Sequence, residues 1–333
     1  MIQFFAKNEL LVPAFFKSWA PDDRGHVRIM RYEHFPLLKS LPGAVCIFID
    51  LEMLEPDELS LATRLSRALH ARPETYTVFN EPRRYPGRFN LLKMLHASGI
   101  NEFQARYIDK LNGDIKFPVF LRNELDHDGP ISPLLHSPYE LEHALTDPAL
   151  RKPSLRKHLI AVEFCDCSEN GVFRKYSAMK IGDKIVPRHV LFSEKWATKK
   201  PDIISKKTAD EEMEFVTNFP HADQVLKVFE IAGLDYGRID YGLHHGRIQV
   251  WEINTNPIIV PSRKRMDPQR MPAQSESAQR IAGAMVALSK RYKDRKAHPF
   301  RTKSFFMLKA VQTIKKVPHV SKRFLKSVKK RLD

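Results

Sequence analysis

The chain has 333 residues, 43% of them hydrophobic and 28% charged, enough to bury a sizeable core and to build two or three packed units. Its apolar runs, such as 45–49 and 258–260, fall far short of the roughly 20 residues that cross a bilayer, and Cys46, Cys165 and Cys167 complete neither a disulfide framework nor a four-ligand zinc set. The net charge of +16 is concentrated in residues 290–333, where sixteen Lys or Arg face only Asp294 and Asp333; the remaining chain stands near +2, so the charge says little about what the body binds.

The N-terminus shows no charged leader followed by a small-residue cleavage site, and a reducing cytoplasm is the expected compartment. Residues 1–44 have no clear period and read as irregular structure with one strand. AVCIFID (44–50) is a buried strand, and PDELSLATRLSRALHA (56–71) is a helix with Leu59, Ala62, Leu65 and Leu69 on one face. TYTVFN (75–80) is the next strand, followed by a helix in GRFNLLKMLHASG (87–99) that Gly99 stops. Strand-helix alternation of this kind predicts a small parallel α/β layer, because parallel strands need crossover connections.

The rhythm then changes. KFPVFLR (116–122) is a strand, NELDHDGP (123–130) a polar turn and SPYELEHAL (137–145) a short helix. HLIAVEF (158–164) is a strand, and 173–192 form a hairpin turning at Gly182-Asp183. Helices are expected near 208–218 and 221–232, and a last hairpin in GRIDYGLHHGRIQVWEINTNP (237–257) turns at Gly246.

That last hairpin carries the chemistry. Glu252 and Asn254 alternate on one strand and so share a face, and hairpin pairing can bring Asp240 beside them. Two carboxylates and an amide oxygen are hard ligands suited to magnesium, which takes its other oxygens from water and nucleotide phosphates. The competing reading is a hairpin whose acidic residues simply face water.

The segment resembles the ATP-grasp superfamily of carboxylate-amine ligases, which includes D-alanine-D-alanine ligase and the ribosomal-protein glutamate ligases. That family's metal segment runs Arg-x-Asp, a short hairpin, then Glu-x-Asn-x-x-Pro. Arg238-Ile239-Asp240 and Glu252-Ile253-Asn254-Thr255-Asn256-Pro257 match it at each fixed position. The resemblance implies an α/β (α+β) ATP-grasp fold with a Rossmann-like pre-ATP-grasp layer at 1–86, an ATP-grasp domain at 87–295 and a basic helical tail at 296–333. It implies ATP with Mg2+, or Mn2+ in its place, held by Asp240, Glu252 and Asn254, and Arg238 as the catalytic cation that shields an acyl-phosphate under attack.

HLIAVEFCD resembles the hinge that holds adenine, which would give that role to Glu163 and the main chain of Phe164 and Cys165; Asp166 and Glu169 remain open for the ribose. Arg88 and Arg122 stand where the family places ATP-binding lysines. Arginine keeps the charge but not the geometry of lysine, and the turn after Arg122 has one glycine, Gly129, where family members often carry several. Lys180, with Arg174 and Lys175, offers further phosphate contacts. Among the histidines, His244 and His245 read as a solvated hairpin tip, while His127 and His189 could approach the cleft.

The resemblance thus implies a ligase joining small-molecule carboxylate and amine (or thiol) substrates. The alternatives left open are a non-catalytic nucleotide-binding scaffold or regulator, and a phosphotransferase on the same fold. The tail at 301–333 places Phe324, Val328 and Leu332 on one helical face among lysines, a pattern suited to peripheral contact with an anionic membrane; a solvated tail is the bland alternative, and nucleic acid is disfavoured. Oligomeric state and substrate identity are not encoded legibly.

Overall fold

The computed structural model describes residues 1–37, 40–111, 113, 115–126, 128–291 and 298–299. Of the basic tail only His298 and Pro299 are among them, so the amphipathic pattern expected there lies outside the described residues, as does His127. No helix among the described residues is long and apolar enough to cross a membrane.

The first forty residues are more regular than their sequence suggests. β1 (Ile2–Ala6) is buried at every position, the pattern of a parallel strand covered on both faces. α1 (Leu11–Trp19) follows, burying Val12, Phe15, Phe16 and Trp19 at the spacing of one helical face. Pro13 disguises this helix in the sequence, yet it sits in the first turn, where a missing N–H costs little. β2 (Val27–Arg31), β4 (Ala44–Phe48) and β5 (Tyr76–Phe79) complete a parallel sheet in the order β2-β1-β4-β5, while β3 (Ser40–Leu41) pairs with β14 (His298–Pro299). The expected crossover helix is α2 (Pro56–His70), opened by a reciprocal cap between Glu55 and Glu58.

α3 (Gly87–Ala97) leads into a three-stranded antiparallel sheet of β6 (Ala105–Tyr107), β7 (Val119–Asn123) and β8 (Leu159–Glu163), in the order β6-β8-β7, with α4 (Pro138–Ala144) and α5 (Pro153–Arg156) between its last two strands. The larger antiparallel sheet holds β10 (Val172–Ile181), β11 (Lys184–Ser193), β12 (Tyr236–His244) and β13 (Arg247–Asn254) in the order β11-β10-β12-β13, with β9 (Ser168–Glu169) appended to β10. Both hairpins turn where the sequence places them. α6 (Lys206–Asn218) and α7 (Ala222–Ala232) cover one face of this sheet.

α8 (Met271–Lys290) has no counterpart in the sequence reading. Its small residues blur the apolar stripe, but Ile281, Met285 and Leu288 join one core with Ile2, Phe4 and Ile47 of the parallel sheet and Met179, Ile181 and Tyr236 of the larger sheet. The helix therefore fastens the two sheets together. Ile281 is fully buried in that core, so Ile281→Ala should lower the unfolding free energy by about 2–5 kcal/mol; chemical denaturation showing a loss below about 1 kcal/mol would mean that α8 is not a structural tie.

Candidate active site

A cleft of about 820 Å³, open to solvent, lies between the three-stranded sheet and the larger sheet. Its floor is set by strand register. His189 of β11 pairs with Ser177 of β10, Ser177 with Asp240 of β12, and Asp240 with Glu252 of β13, so four side chains stand in one row across four strands. Two irregularities flank this row. Arg188 is skipped in the pairing of β11 with β10, and Trp251 is skipped in the pairing of β13 with β12. Each acts as a β-bulge, which re-aims side chains by one position. Without them Arg188 would stand beside Ser177, and Trp251 beside Asp240. With the second bulge, Trp251 and Glu252 both line the cleft.

Asp240 is 2% exposed. It accepts hydrogen bonds from Arg238 Nε at 2.8 Å, Arg238 Nη2 at 3.1 Å and Ser177 Oγ at 2.6 Å, and Lys175 Nζ lies 3.3 Å away. Burial alone would push this carboxyl up, but Arg238 and then Lys175 overcome it and hold Asp240 below its ordinary range. Glu252 meets Arg122 at 2.9 Å and is also bonded to Arg88. Burial, reinforced by the neighbouring Arg88 charge, lowers Arg122 from the usual arginine value even though Glu252 opposes it. Asn254 shares the β13 face of Glu252, but its Oδ1 accepts the Asn256 N–H at 2.9 Å and it lines no part of the cleft.

Arg88 and Lys180 are placed differently from the phosphate-facing positions their sequence context suggests. Arg88 Nη1 donates to the carbonyls of Asn123, Glu124 and Asp126. It clasps the turn after β7 onto Glu252 and lines a smaller recess rather than the main cleft. Lys180 lies outside the cleft: its Nζ donates to the Leu234 carbonyl at 2.8 Å and sits 3.6 Å from Asp235. Lys175, five residues earlier on β10, lines the cleft instead. Arg174 is engaged by Glu211 and Glu169, and Asp166 bonds its own turn at Ser168 N.

At the other end of the cleft, Glu163, Phe164 and Cys165 line one wall as expected. The Glu163 carboxylate is turned toward the backbone, accepting from Gln104 N at 2.9 Å and Lys116 N at 2.8 Å; it fixes the edge of the wall. The Cys165 thiol is hydrogen-bonded to Cys167, which lowers Cys165 and raises Cys167. His244 bonds Glu102 at 2.9 Å, and His245 occupies a left-handed turn position, in keeping with a hairpin tip.

The loop after β11 also borders the cleft, although no local sequence pattern marks it. Asp202 accepts from Ser193 Oγ and Glu194 N, closing the loop at its base. Trp196 packs on Phe120 at 4.9 Å and Phe164 at 5.8 Å between ring centroids, and Lys199 reaches the cleft from the same loop. Gly129 faces it: a Cβ there would lie 2.7 Å from Lys199 Cε, and its φ of +90° also favours glycine. The single tryptophan in SEKWATKKPD was the available signal.

No protein-family model matches the sequence, and a search of curated proteins finds no match. Among solved structures, D-alanine–D-alanine ligase from Bacillus anthracis superimposes with a TM-score of 0.50 over 87% of this chain and 97% of that one, at 12% identity. The chain has an ATP-grasp fold. An ATP-grasp RimK domain protein from Sphaerobacter thermophilus (TM-score 0.44, 14% identity, 87% of this chain and 99% of that one) and the ATP-grasp ligase PsnB with its minimal precursor (0.47, 14%, 86% and 98%) are also similar. In this fold the row runs from His189 through Ser177 beneath the surface to Asp240 and Glu252, the two members that line the cleft.

His189 provides a check on this geometry. Burial, then the nearby charges of Arg188, Arg238, Arg270 and Lys175, push it well below the ordinary histidine value, so it is neutral in the folded chain. An unfolded histidine protonates below about pH 6.5, so the unfolded state binds more protons there, and the stability present above that pH is lost as pH falls. His189→Gln should therefore shrink the drop in Tm between about pH 7.5 and 5.5; His221, also shifted down, is common to both proteins. An equal drop in both would show that His189 is not held neutral.

Proposed function

We propose that this chain is an ATP- and magnesium-dependent ligase that activates a substrate carboxylate as an acyl-phosphate for attack by an amine. The observation that carries the reading is the cleft floor, where Asp240 and Glu252 stand in register among Arg88, Arg122, Lys175 and Arg238. The ATP-grasp fold supports nucleotide binding, and the other end of the cleft offers aromatic side chains and a hinge-like wall at Glu163–Cys165. Residues 1–86 would close the acceptor side, and 87–295 would hold the nucleotide.

The donor set fits magnesium. Asp240 and Glu252 are hard oxygen donors; Asn254, outside the cleft with its Oδ1 accepting from Asn256 N, would have to turn inward to add a third, and no group of three His, Cys, Asp or Glu placed to hold a metal occurs among the described residues. The remaining ligands would therefore be water and phosphate oxygens. Magnesium would neutralise charge on the transferring phosphoryl group. Four cationic side chains against two carboxylates would repel a bare dication but welcome an anionic triphosphate. Arg122, Lys175 and Lys199 line the space the phosphates would occupy. Arg238, braced by Asp240 and by the Ile258 carbonyl, would face the charge that develops as phosphate leaves.

The γ-phosphoryl group would pass to a carboxylate oxygen with ADP leaving. An amine nitrogen would then bond the carbonyl carbon as the bond to phosphate breaks and the amine proton is lost. A nucleotide-binding regulator without turnover is the second reading, favoured by the Arg88 guanidinium being occupied with backbone carbonyls.

Saturating ATP with magnesium, at about 100 times Kd, should stabilise the wild type by about 2.7 kcal/mol, a Tm rise of a few degrees, and Glu252→Gln should lose most of it. An equal rise in both proteins rules Glu252 out as a ligand. Calorimetry should show Mn2+ binding at least about tenfold more weakly without nucleotide than with it, from the charge balance at the floor; tight binding to the bare protein contradicts that balance. With ATP supplied, ADP and free phosphate should appear only when a carboxylate and an amine are both present. ADP with a phosphorylated product would indicate a phosphotransferase, and stabilisation by ATP without ADP formation would favour the regulator.

A further inference from the structure

The row of register partners continues beyond the two carboxylates. Ser177 Oγ lies 2.6 Å from Asp240 Oδ1 and 3.0 Å from His189 Nε2. Ser177 is fully buried and His189 is 8% exposed. A serine hydroxyl has one proton and two lone pairs. The Arg238 guanidinium meets both Asp240 oxygens, and the Ser177 hydroxyl donates its proton to Asp240 Oδ1. His189 Nε2 must then carry the proton that Ser177 accepts, which fixes the tautomer of a neutral imidazole.

We infer that Ser177 and His189 are positioning residues for Asp240, forming a directed relay from His189 Nε2–H through the Ser177 hydroxyl to Asp240 Oδ1 that holds this carboxylate for the nucleotide-bound cation. The inference rests on the ligase reading above. The geometry favours this role over incidental packing for two reasons. The bulge at Arg188 is what brings His189 rather than Arg188 next to Ser177, and a strand bulge costs a ladder position. Arg238 already meets both oxygens of Asp240, so charge balance does not require the serine. What the serine adds is direction, since a hydroxyl bonded at 2.6 Å restrains rotation of the carboxylate about its terminal torsion. Partners behind a metal ligand are worth about 10–100-fold in metal affinity when removed.

Ser177→Ala removes the relay with little change in volume, His189→Leu removes its outer donor, and His189→Gln keeps an N–H near the position of Nε2. Mn2+ affinity would be measured by calorimetry on each full-length protein saturated with a non-hydrolysable ATP analogue, with Tm recorded in parallel. Ser177→Ala and His189→Leu should weaken Mn2+ about 10–100-fold, and His189→Gln should restore it to within about threefold of wild type. A structural role alone would move Tm without this pattern of loss and rescue. The imidazole nitrogens provide a second readout independent of any ligand, because nitrogen-15 NMR of histidine-labelled wild type should show His189 neutral with its proton on Nε2. A proton on Nδ1, or wild-type Mn2+ affinity in both Ser177→Ala and His189→Leu, overturns the relay and leaves the ligase reading standing. Failure of the wild type to bind Mn2+ with nucleotide overturns both.

Discussion

The structure of this cleft depends on strand register, and register depends on two extra residues. A one-residue slip in a β-ladder moves every following side chain to the opposite face. Arg188 and Trp251 each absorb one such step, and only with both steps in place do His189, Ser177, Asp240 and Glu252 meet in a line. Neither bulged side chain is wasted. Arg188 bonds Ile259 O and reaches Gln274 Oε1 at 2.6 Å, beneath α8. Trp251 packs against Gly242, where a Cβ would come within 2.9 Å of its ring, while also lining the cleft. The same irregularities that align the acidic row thus tie it to the core below and the aromatic wall beside it.

Charge follows from that alignment. Buried carboxylates in adjacent register positions are unfavourable unless cations accompany them, and each one here has its own pair: Arg238 and Lys175 for Asp240, Arg88 and Arg122 for Glu252. Farther under the sheet, Glu212 is 1% exposed and bound by Arg270 and Gln274, and it tempers the buried charge of Arg188, whose pKa burial brings down to about 9. The two arrangements differ in access. The Glu212 group is closed within protein, whereas Arg122, Lys175, Asp240 and Glu252 border open space, so the latter can exchange partners when a charged ligand arrives.

The parts legible in the sequence were those governed by local pattern. Hairpins at Gly182 and Gly246 announce themselves by turn residues between alternating strands, and the Arg-x-Asp and Glu-x-Asn halves lie on one such hairpin. The bulges were not legible, because an extra residue inside a strand leaves the alternation looking merely imperfect. α1 was hidden by Pro13 and by phenylalanines that also suit a strand. α8, rich in Ala, Ser and Gln, buries polar and small residues such as Gln274 and Ser277, so its stripe is not an apolar one. Lys175 and Lys180 are five residues apart on β10 and so point to opposite faces; the sequence does not say which face lines the cleft. Trp196 and Lys199 arrive from a loop whose closure by Asp202 is a tertiary fact.

The segment immediately after Asn254 shows how the parallel layer enters the site. Thr255 Oγ1 donates to Glu52 and accepts from Leu51 N, while Asn256 Nδ2 donates to Asn8 O and Asp50 Oδ1. Asp50, in a left-handed backbone conformation at the end of β4, also receives the N–H groups of Lys7 and Asn8 beyond β1 at 2.7 Å. The carboxyl ends of β1 and β4 are therefore bonded directly to Thr255 and Asn256, the two residues that follow the metal-strand candidates. Open parallel sheets bind ligands at this edge, where the strand connections diverge, and here β1 sends its chain to β2 on one side while β4 lies on the other. With α8 fastening the same sheet from behind, a group bound at that edge would sit at a fixed distance from Arg238 and Asp240. On the ligase reading proposed above, the layer would set which acceptor reaches the cleft floor, and the row across the larger sheet would govern what happens there.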